Sequence, residues 1–313
     1  MATSQPDPKA ALSGEIIHAF DDVFGVHAGF RPAHAKGILL TGQFTPTAEA
    51  AKLTRAPHMS REHTPVTVRF SNSTGIPAIP DNDPNSMPRG VAIRFHLAEH
   101  KHTDIIAHSE NGFPTHTAEE FLEMLRAIKA SGPDAPHPTP IEQFLGAHPA
   151  ALRFVTAPKH GAVSFLQETY FGVNAHRFVN SAGEGQYVRY RVHPEGENAY
   201  LSDAEAAQKS PDFLFDEVKE RLAKGPARLR VAAQLAAEGD VVNDATVIWP
   251  EERSVVELGV VELTAVAPNN AAEQQHIIFD PIARVDGIEA SGDPLLEPRA
   301  SVYLMSGRRR RKG

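Results

Sequence analysis

The chain has 313 residues, enough for one or two domains with a large buried core. With 41% hydrophobic and 22% charged residues it is neither disordered nor fibrous, and a formal charge of −8 speaks against a general nucleic-acid binder, which needs a clustered basic excess. The absence of cysteine excludes disulfides, thiolate catalysis and thiolate-ligated metals, leaving His, Tyr, Asp and Glu to hold any metal.

Residues 1–15 are polar and Pro-containing and are expected to form a flexible N-terminus, followed by one domain over 16–313. No basic start leads into an apolar stretch, and no apolar run approaches 18 residues, so the expectation is a soluble, cytoplasmic chain that engages no membrane. In FRPAHAKGILL (30–40), His34 stands between Ala33 and Ala35, with Gly37 releasing the backbone after it. Such a histidine is either ordinary packing or a base against which something flat and rigid fits closely.

PVTVRFS (65–71) alternates Val66, Val68 and Phe70 with Thr67, Arg69 and Ser71, the period of a strand with one polar face. The following stretch, 72–90, is rich in Pro and Gly and is either a surface excursion or a segment that wraps something. GVAIRFHL (90–97), QYVRYRVH (186–193), ARLRVAAQL (227–235) and GVVELTAV (259–266) predict further strands. Thr117 with Glu120 three residues on is a capping box for a helix over 117–130, and 211–225 predicts another helix ending at Gly225. At the C-terminus Pro298 opens a helix on which Arg299 and Tyr303 share a face at i and i+4. A guanidinium beside a phenol oxygen stabilises a phenolate, a hard ligand suited to ferric iron. Strands distant in sequence, long loops and inserted helices together predict an α+β, barrel-based domain. The sixteen histidines include no His-Glu-x-x-His, and His58, His63, His137, His148 and His160 fall in predicted loops.

Six segments, in order RPAHAKG, TPVTVRFS, MPRGVAIRF, DATVIWPEERSVVELGVVEL, IIFDPIARVDGIEASGD and RASVY, resemble the successive signature blocks of haem catalases, from about residue 16 to 312. Full-size catalases carry a long N-terminal arm and further C-terminal segments, whereas this chain stops ten residues after Tyr303, so it is similar to the small catalase-related peroxidases. The resemblance implies an antiparallel β-barrel with inserted and flanking helices enclosing haem b. It implies Tyr303 as the iron ligand with Arg299 on its oxygen, His34 as the distal base and Ser71 as the residue that orients it. Arg31, Arg69 and Arg310 match haem-propionate positions, although the run RRRRK also allows a shifted register or a solvated basic tail. Phe121 matches a phenylalanine stacked on the haem and Phe113 one lining the distal channel. Where catalases place a distal asparagine, ungapped counting from Asp104 reaches His108, and a local shift would bring in Asn111 instead.

The function so implied is reduction of organic hydroperoxides and hydrogen peroxide through a ferryl intermediate, with an external small-molecule electron donor and at most weak catalase activity. The alternatives are a small true catalase, a fatty-acid hydroperoxide dehydratase of the allene oxide synthase kind, disfavoured by Ala33 where the animal synthases have threonine, and a haem storage or sensing protein, which would need neither His34 nor Ser71. A homodimer or monomer is expected rather than an interlocked tetramer, with no bound NADPH and no nucleic acid.

Overall fold

Period-two segments of the sequence become strands in the computed structural model, which describes residues 8–312. In chain order the strands are β1 (Gly37–Pro46), β2 (Thr64–Ser71), β3 (Gly90–Ala98), β4 (Lys101–His108), β5 (Gly161–Ala162), β6 (Tyr170–Phe171), β7 (His176–Val179), β8 (Gly185–Pro194), β9 (Tyr200–Leu201), β10 (Ala227–Leu235), β11 (Val255–Val266) and β12 (Ile288–Ala290). The helices are α1 (Pro8–Phe24), α2 (Ala48–Leu53), α3 (Ala118–Ala130), α4 (Pro140–Ala147), α5 (Pro149–Thr156), α6 (Asp203–Ala207), α7 (Phe213–Lys224), α8 (Asn270–His276) and α9 (Leu296–Arg310). None of the described helices is long and apolar enough to cross a membrane.

Strands β1, β2, β3, β4, β6, β8, β10 and β11 pair antiparallel in that order, and β11 returns to β1, so the sheet closes into a barrel. Closure removes the free edges that an open sheet of this size would expose. Val66, Val68 and Phe70 of β2, Val91, Ile93 and Phe95 of β3, and Val188, Tyr190 and Val192 of β8 belong to one buried apolar cluster. The His58 ring joins it, 4.6 Å from the Phe95 ring centroid and 1% exposed.

The expected polar face of β2 is not a solvent face. Arg69 and Ser71 are buried, because helices and the segment 277–279 cover this side of the sheet. At the covered face Arg94 and Asp104, cross-strand partners on β3 and β4, form a two-pronged ion pair at 2.9 and 2.7 Å. Arg94 also donates to the Ile278 carbonyl, and Asp104 accepts the Asp280 N–H at 2.8 Å, so the pair clamps 278–280 to the barrel. Arg94→Met leaves Asp104 a buried charge without its cation and is expected to cost about 3 kcal/mol in urea unfolding. A loss below about 1 kcal/mol would show that the carboxylate is satisfied without Arg94.

Two expectations change and one open alternative is decided. Residues 8–15 are not flexible but form the first turns of α1, because Leu12, Ile16, Ala19 and Phe20 recur at helical spacing and pack against Ala118, Leu122 and Leu125 of α3; residues 1–7 of the expected flexible segment lie outside the described residues. Helix α9 begins at Leu296, two residues before Pro298, which sits in the first turn, where its missing N–H costs nothing. The 72–90 segment is not a surface excursion, since Asn72, Asp81, Ser86 and Arg89 within it are buried. The capping box of α3 forms as expected, with Thr117 Oγ1 accepting the Glu120 N–H at 3.2 Å.

Candidate active site

On the outer face of the barrel, register places Ser71, Gly90 and His108 side by side across β2, β3 and β4, and two residues along it places Arg69, Ala92 and Ile106 in the next row. Period-two geometry therefore turns both rows to the same side. They form one wall of a cavity of about 230 Å³, completed by Ile16 and Phe20 of α1, Phe121 of α3, residues 277–279 and one face of α9. A second cavity, behind Arg299, has about 10 Å³, room for one water.

His34 reaches this cavity through an uncommon backbone. Its φ is 55°, in the left-handed region, so the sequence expectation that Gly37 releases the chain is replaced by His34 itself turning it. Gly37 opens β1 instead, where a Cβ would lie 2.3 Å from the Arg69 guanidinium. The His34 and Ala35 N–H groups donate to the carbonyls of Ser73 and Thr74 at 2.8 and 2.9 Å, and His34 Nδ1 lies 3.0 Å from Ser71 Oγ. Gly90 makes room for that pair, because a Cβ there would meet Ser71 Oγ at 2.7 Å and His34 Nδ1 at 2.9 Å. Burial, then the positive charge of Arg69, holds the His34 pKa down at about 4, so the imidazole is neutral at ordinary pH.

His108 ends β4 in the row beside Gly90 and lines the cavity, whereas Asn111 lies beyond the strand in the turn and does not. The sequence alternatives are thus separated by register. His108 Nδ1 accepts the Glu110 N–H at 3.3 Å, which leaves the ring proton on Nε2; that atom is buried and has no partner among the described residues. Burial, then His34, lowers the His108 pKa to about 3. Phe113 and Phe121 both line the cavity, with ring centroids 5.5 Å apart.

Helix α9 presents Arg299, Tyr303, Ser306 and Arg310 to the cavity, a stripe at i, i+4, i+7 and i+11. Arg299 donates to Tyr303 Oη at 3.1 Å and, with its other nitrogen, to Asn174 Oδ1. Asn174 Nδ2 in turn donates to Asp293 Oδ2 at 2.8 Å, and Asp293 Oδ1 accepts the Leu295 N–H at 2.9 Å at the start of α9. Sequence reasoning missed Asn174 and Asp293. The Asp-Pro pair ahead of the helix was a capping signal for Asp293, but nothing local marked Asn174. The basic run is resolved by direction: Arg309 pairs with Asp21, Arg311 bonds the His276 carbonyl, Arg308 is exposed, and Arg310 faces the cavity.

Arg31, Arg69 and Arg310 converge there. Arg31 donates to the carbonyls of Gln274 and Ile277, Arg69 to Gln274 Oε1 and the His34 carbonyl, and Arg310 to Ser306 Oγ and the Ile277 carbonyl. None has an acidic partner among the described residues. Burial and mutual repulsion push Arg31 well below its usual value, while burial and then Arg310 push Arg69 down to about 9. Three cations, Arg69 and Arg310 buried and Arg31 half-buried, without a counter-ion among the described residues are a site for an anion. A planar apolar ring carrying two carboxylates fits both the walls and the charge, as haem would; Tyr303 would be its iron ligand. The described residues contain no group of three or more His, Cys, Asp or Glu placed to hold a metal ion.

The chain is 33% identical to a catalase-related peroxidase of Mycolicibacterium paratuberculosis over 93% of its own length and 92% of the relative's, and 31% identical to one of Synechococcus elongatus over 96% and 88%. A fungal catalase superposes with a TM-score of 0.80 at 22% identity, and catalase A from Saccharomyces cerevisiae with 0.79 at 21%; each match covers 91% of this chain and 60% or 62% of the catalase chain. The family description "Catalase" matches residues 29–313, and the chain belongs to the catalase family.

Proposed function

We propose that this catalase-family enzyme is a haem b-dependent peroxidase that reduces hydrogen peroxide and organic hydroperoxides at the expense of a small organic electron donor. One observation carries the reading: Tyr303, bonded by Arg299, and His34, bonded by Ser71, line a single cavity whose edge holds three uncompensated arginines. A storage or sensing protein would need the arginines and Tyr303 but not an oriented neutral imidazole. Ala33 supplies no hydroxyl ahead of His34, which disfavours the dehydratase alternative.

Arg31, Arg69 and Arg310 would hold the propionates, and Arg299 would hydrogen-bond the Tyr303 oxygen as the ligand. When bound, haem supplies the iron-centred redox chemistry that cleaves the peroxide O–O bond. His34, neutral because it is buried beside Arg69, accepts the peroxide proton at Nε2 while Nδ1 remains on Ser71 Oγ, then returns that proton to the departing oxygen. His108 donates from Nε2 to the peroxide, the part an amide would play. Peroxidase rather than catalase action is supported by the relatives matched over nearly their whole length, which are named catalase-related peroxidase, and by the imidazole at 108.

The test is an absorption spectrum of the haem-loaded protein beside Tyr303→Phe, followed by oxygen evolution and donor oxidation on adding peroxide. A tyrosinate-ligated ferric spectrum lost in the variant, with donor oxidation exceeding oxygen evolution, is the expected result. A spectrum indifferent to Tyr303 sinks the site assignment, and dominant oxygen evolution makes the protein a small true catalase.

A further inference from the structure

Behind His34 lies a buried polar cluster with no part in the mechanism above. Asn72, Asp81 and Arg89 are each 0 or 1% exposed. Asn72 donates from Nδ2 to Asp81 Oδ1 at 2.8 Å and accepts at Oδ1 from Arg89. Asp81 also accepts from Lys36 Nζ at 2.7 Å and from the Leu214 N–H of α7 at 2.9 Å. Arg89 bonds in addition the carbonyls of Asp81 and Ser86. The Asn72 amide is therefore clamped between an anion and a cation that each have other partners.

The position of Asn72 in the chain gives that clamp a consequence. The residue before it, Ser71, carries the hydroxyl on His34 Nδ1; the residue after it, Ser73, carries the carbonyl that accepts the His34 N–H. Its own N–H donates to the Lys36 carbonyl at 3.1 Å. Both the ring and the backbone of His34 are thus held by neighbours of one residue, and His34 needs holding, because a left-handed conformation is costly for a residue with a side chain.

We propose that Asn72 is a positioning residue for His34, its side chain fixing the course of the chain after β2 so that Ser71 and Ser73 seat the imidazole. The proposal rests on the reading of His34 as the base. Removing the amide leaves Asp81 with Lys36 and Leu214, and Arg89 with two carbonyls, so every buried charge keeps a partner. The charged and titratable groups around His34 are also unchanged: Arg31 on its own segment, Arg69 from β2, His108 from β4, and Arg299 and Tyr303 from α9.

The experiment compares wild type, Asn72→Ala and Val192→Ala, a core control on β8, labelled with 15N-histidine and loaded with diamagnetic zinc protoporphyrin. The His34 ring signals are assigned by their loss in His34→Gln. Wild type is expected to show one fixed tautomer with widely separated nitrogen shifts. Asn72→Ala should show averaged shifts and, loaded with haem, a kcat roughly tenfold lower at unchanged haem content, the effect of losing about one orienting hydrogen bond. Val192→Ala should stay fixed at an equal loss of Tm. A single unaveraged tautomer in Asn72→Ala overturns the proposal, as does averaging in Val192→Ala. Averaging already in wild type instead overturns the reading of His34 as an oriented base, a separate failure. Should Asn72→Ala not fold, Asn72→Ser is read in the same way.

Discussion

His34→Ala is expected to lower kcat/KM for hydrogen peroxide by roughly 10²–10⁴-fold while leaving the bound haem content unchanged. A positioned general base contributes about that factor, and no second group among the described residues stands ready to replace it. His108 has its Nδ1 occupied by the Glu110 N–H and offers only a donor at Nε2, so it polarises but does not accept the proton. Burial and Arg69 keep His34 unprotonated down to about pH 4, so activity should hold across the mildly acidic range while the fold persists. Ser71→Ala, which leaves the imidazole in place but frees Nδ1, should cost only about tenfold. The measurement is the initial rate of peroxide consumption at matched haem content. A loss below tenfold for His34→Ala would remove the residue from the mechanism.

The chain should lose stability steeply on acidification. His34, His58, His108 and His176 are held at about 4, 3, 3 and 4, in each case chiefly by burial. For a base whose folded pKa is depressed, the unfolded chain binds the extra proton below its own pKa near 6.5, so stability is complete above that pH and falls as pH drops. Glu168 acts in the opposite sense. Burial raises it to about 7, so the folded state already holds that proton and the unfolded state releases it until about pH 4.5. Four protons taken up against most of one released leave a net uptake of about three near pH 5, or about 4 kcal/mol per pH unit. From pH 6.5 to 4 this removes about 10 kcal/mol, enough to unfold a domain in the lower half of the usual range of about 5–15 kcal/mol. Urea midpoints at pH 7, 6 and 5 read the slope directly, and His58→Phe, filling a site among Phe44 and Phe95, should reduce it by about one proton. A slope of less than one proton would mean that these histidines are solvated in the folded chain.

Much of both fold and site was legible in sequence. The strands β2, β3, β8 and β10 follow from period-two alternation, and α3 from its capping box, to within a residue or two. Arg299 and Tyr303 share a helix face because their spacing is that of one turn, and the catalase-like blocks contain His34, Ser71, Arg31 and Arg69. No local pattern marks the strand β4, and the apolar stripe of α1 follows a polar, Pro-containing start that reads as loose chain.

The periodic elements, the family and the residue types at the site are thus readable in the amino-acid order, since they depend on backbone geometry and on short local spacings. The direction in which each polar group turns is set by long-range contacts. Helices and the segment 277–279 cover the polar face of β2, and register with Gly90 selects His108 over Asn111. Asp21 takes Arg309, which leaves Arg310 to the cavity, and Asn174 reaches Arg299 from 125 residues away. A buried charge or amide is placed by whichever partner closure brings within hydrogen-bond distance, and leaving it without one costs more than any local preference repays.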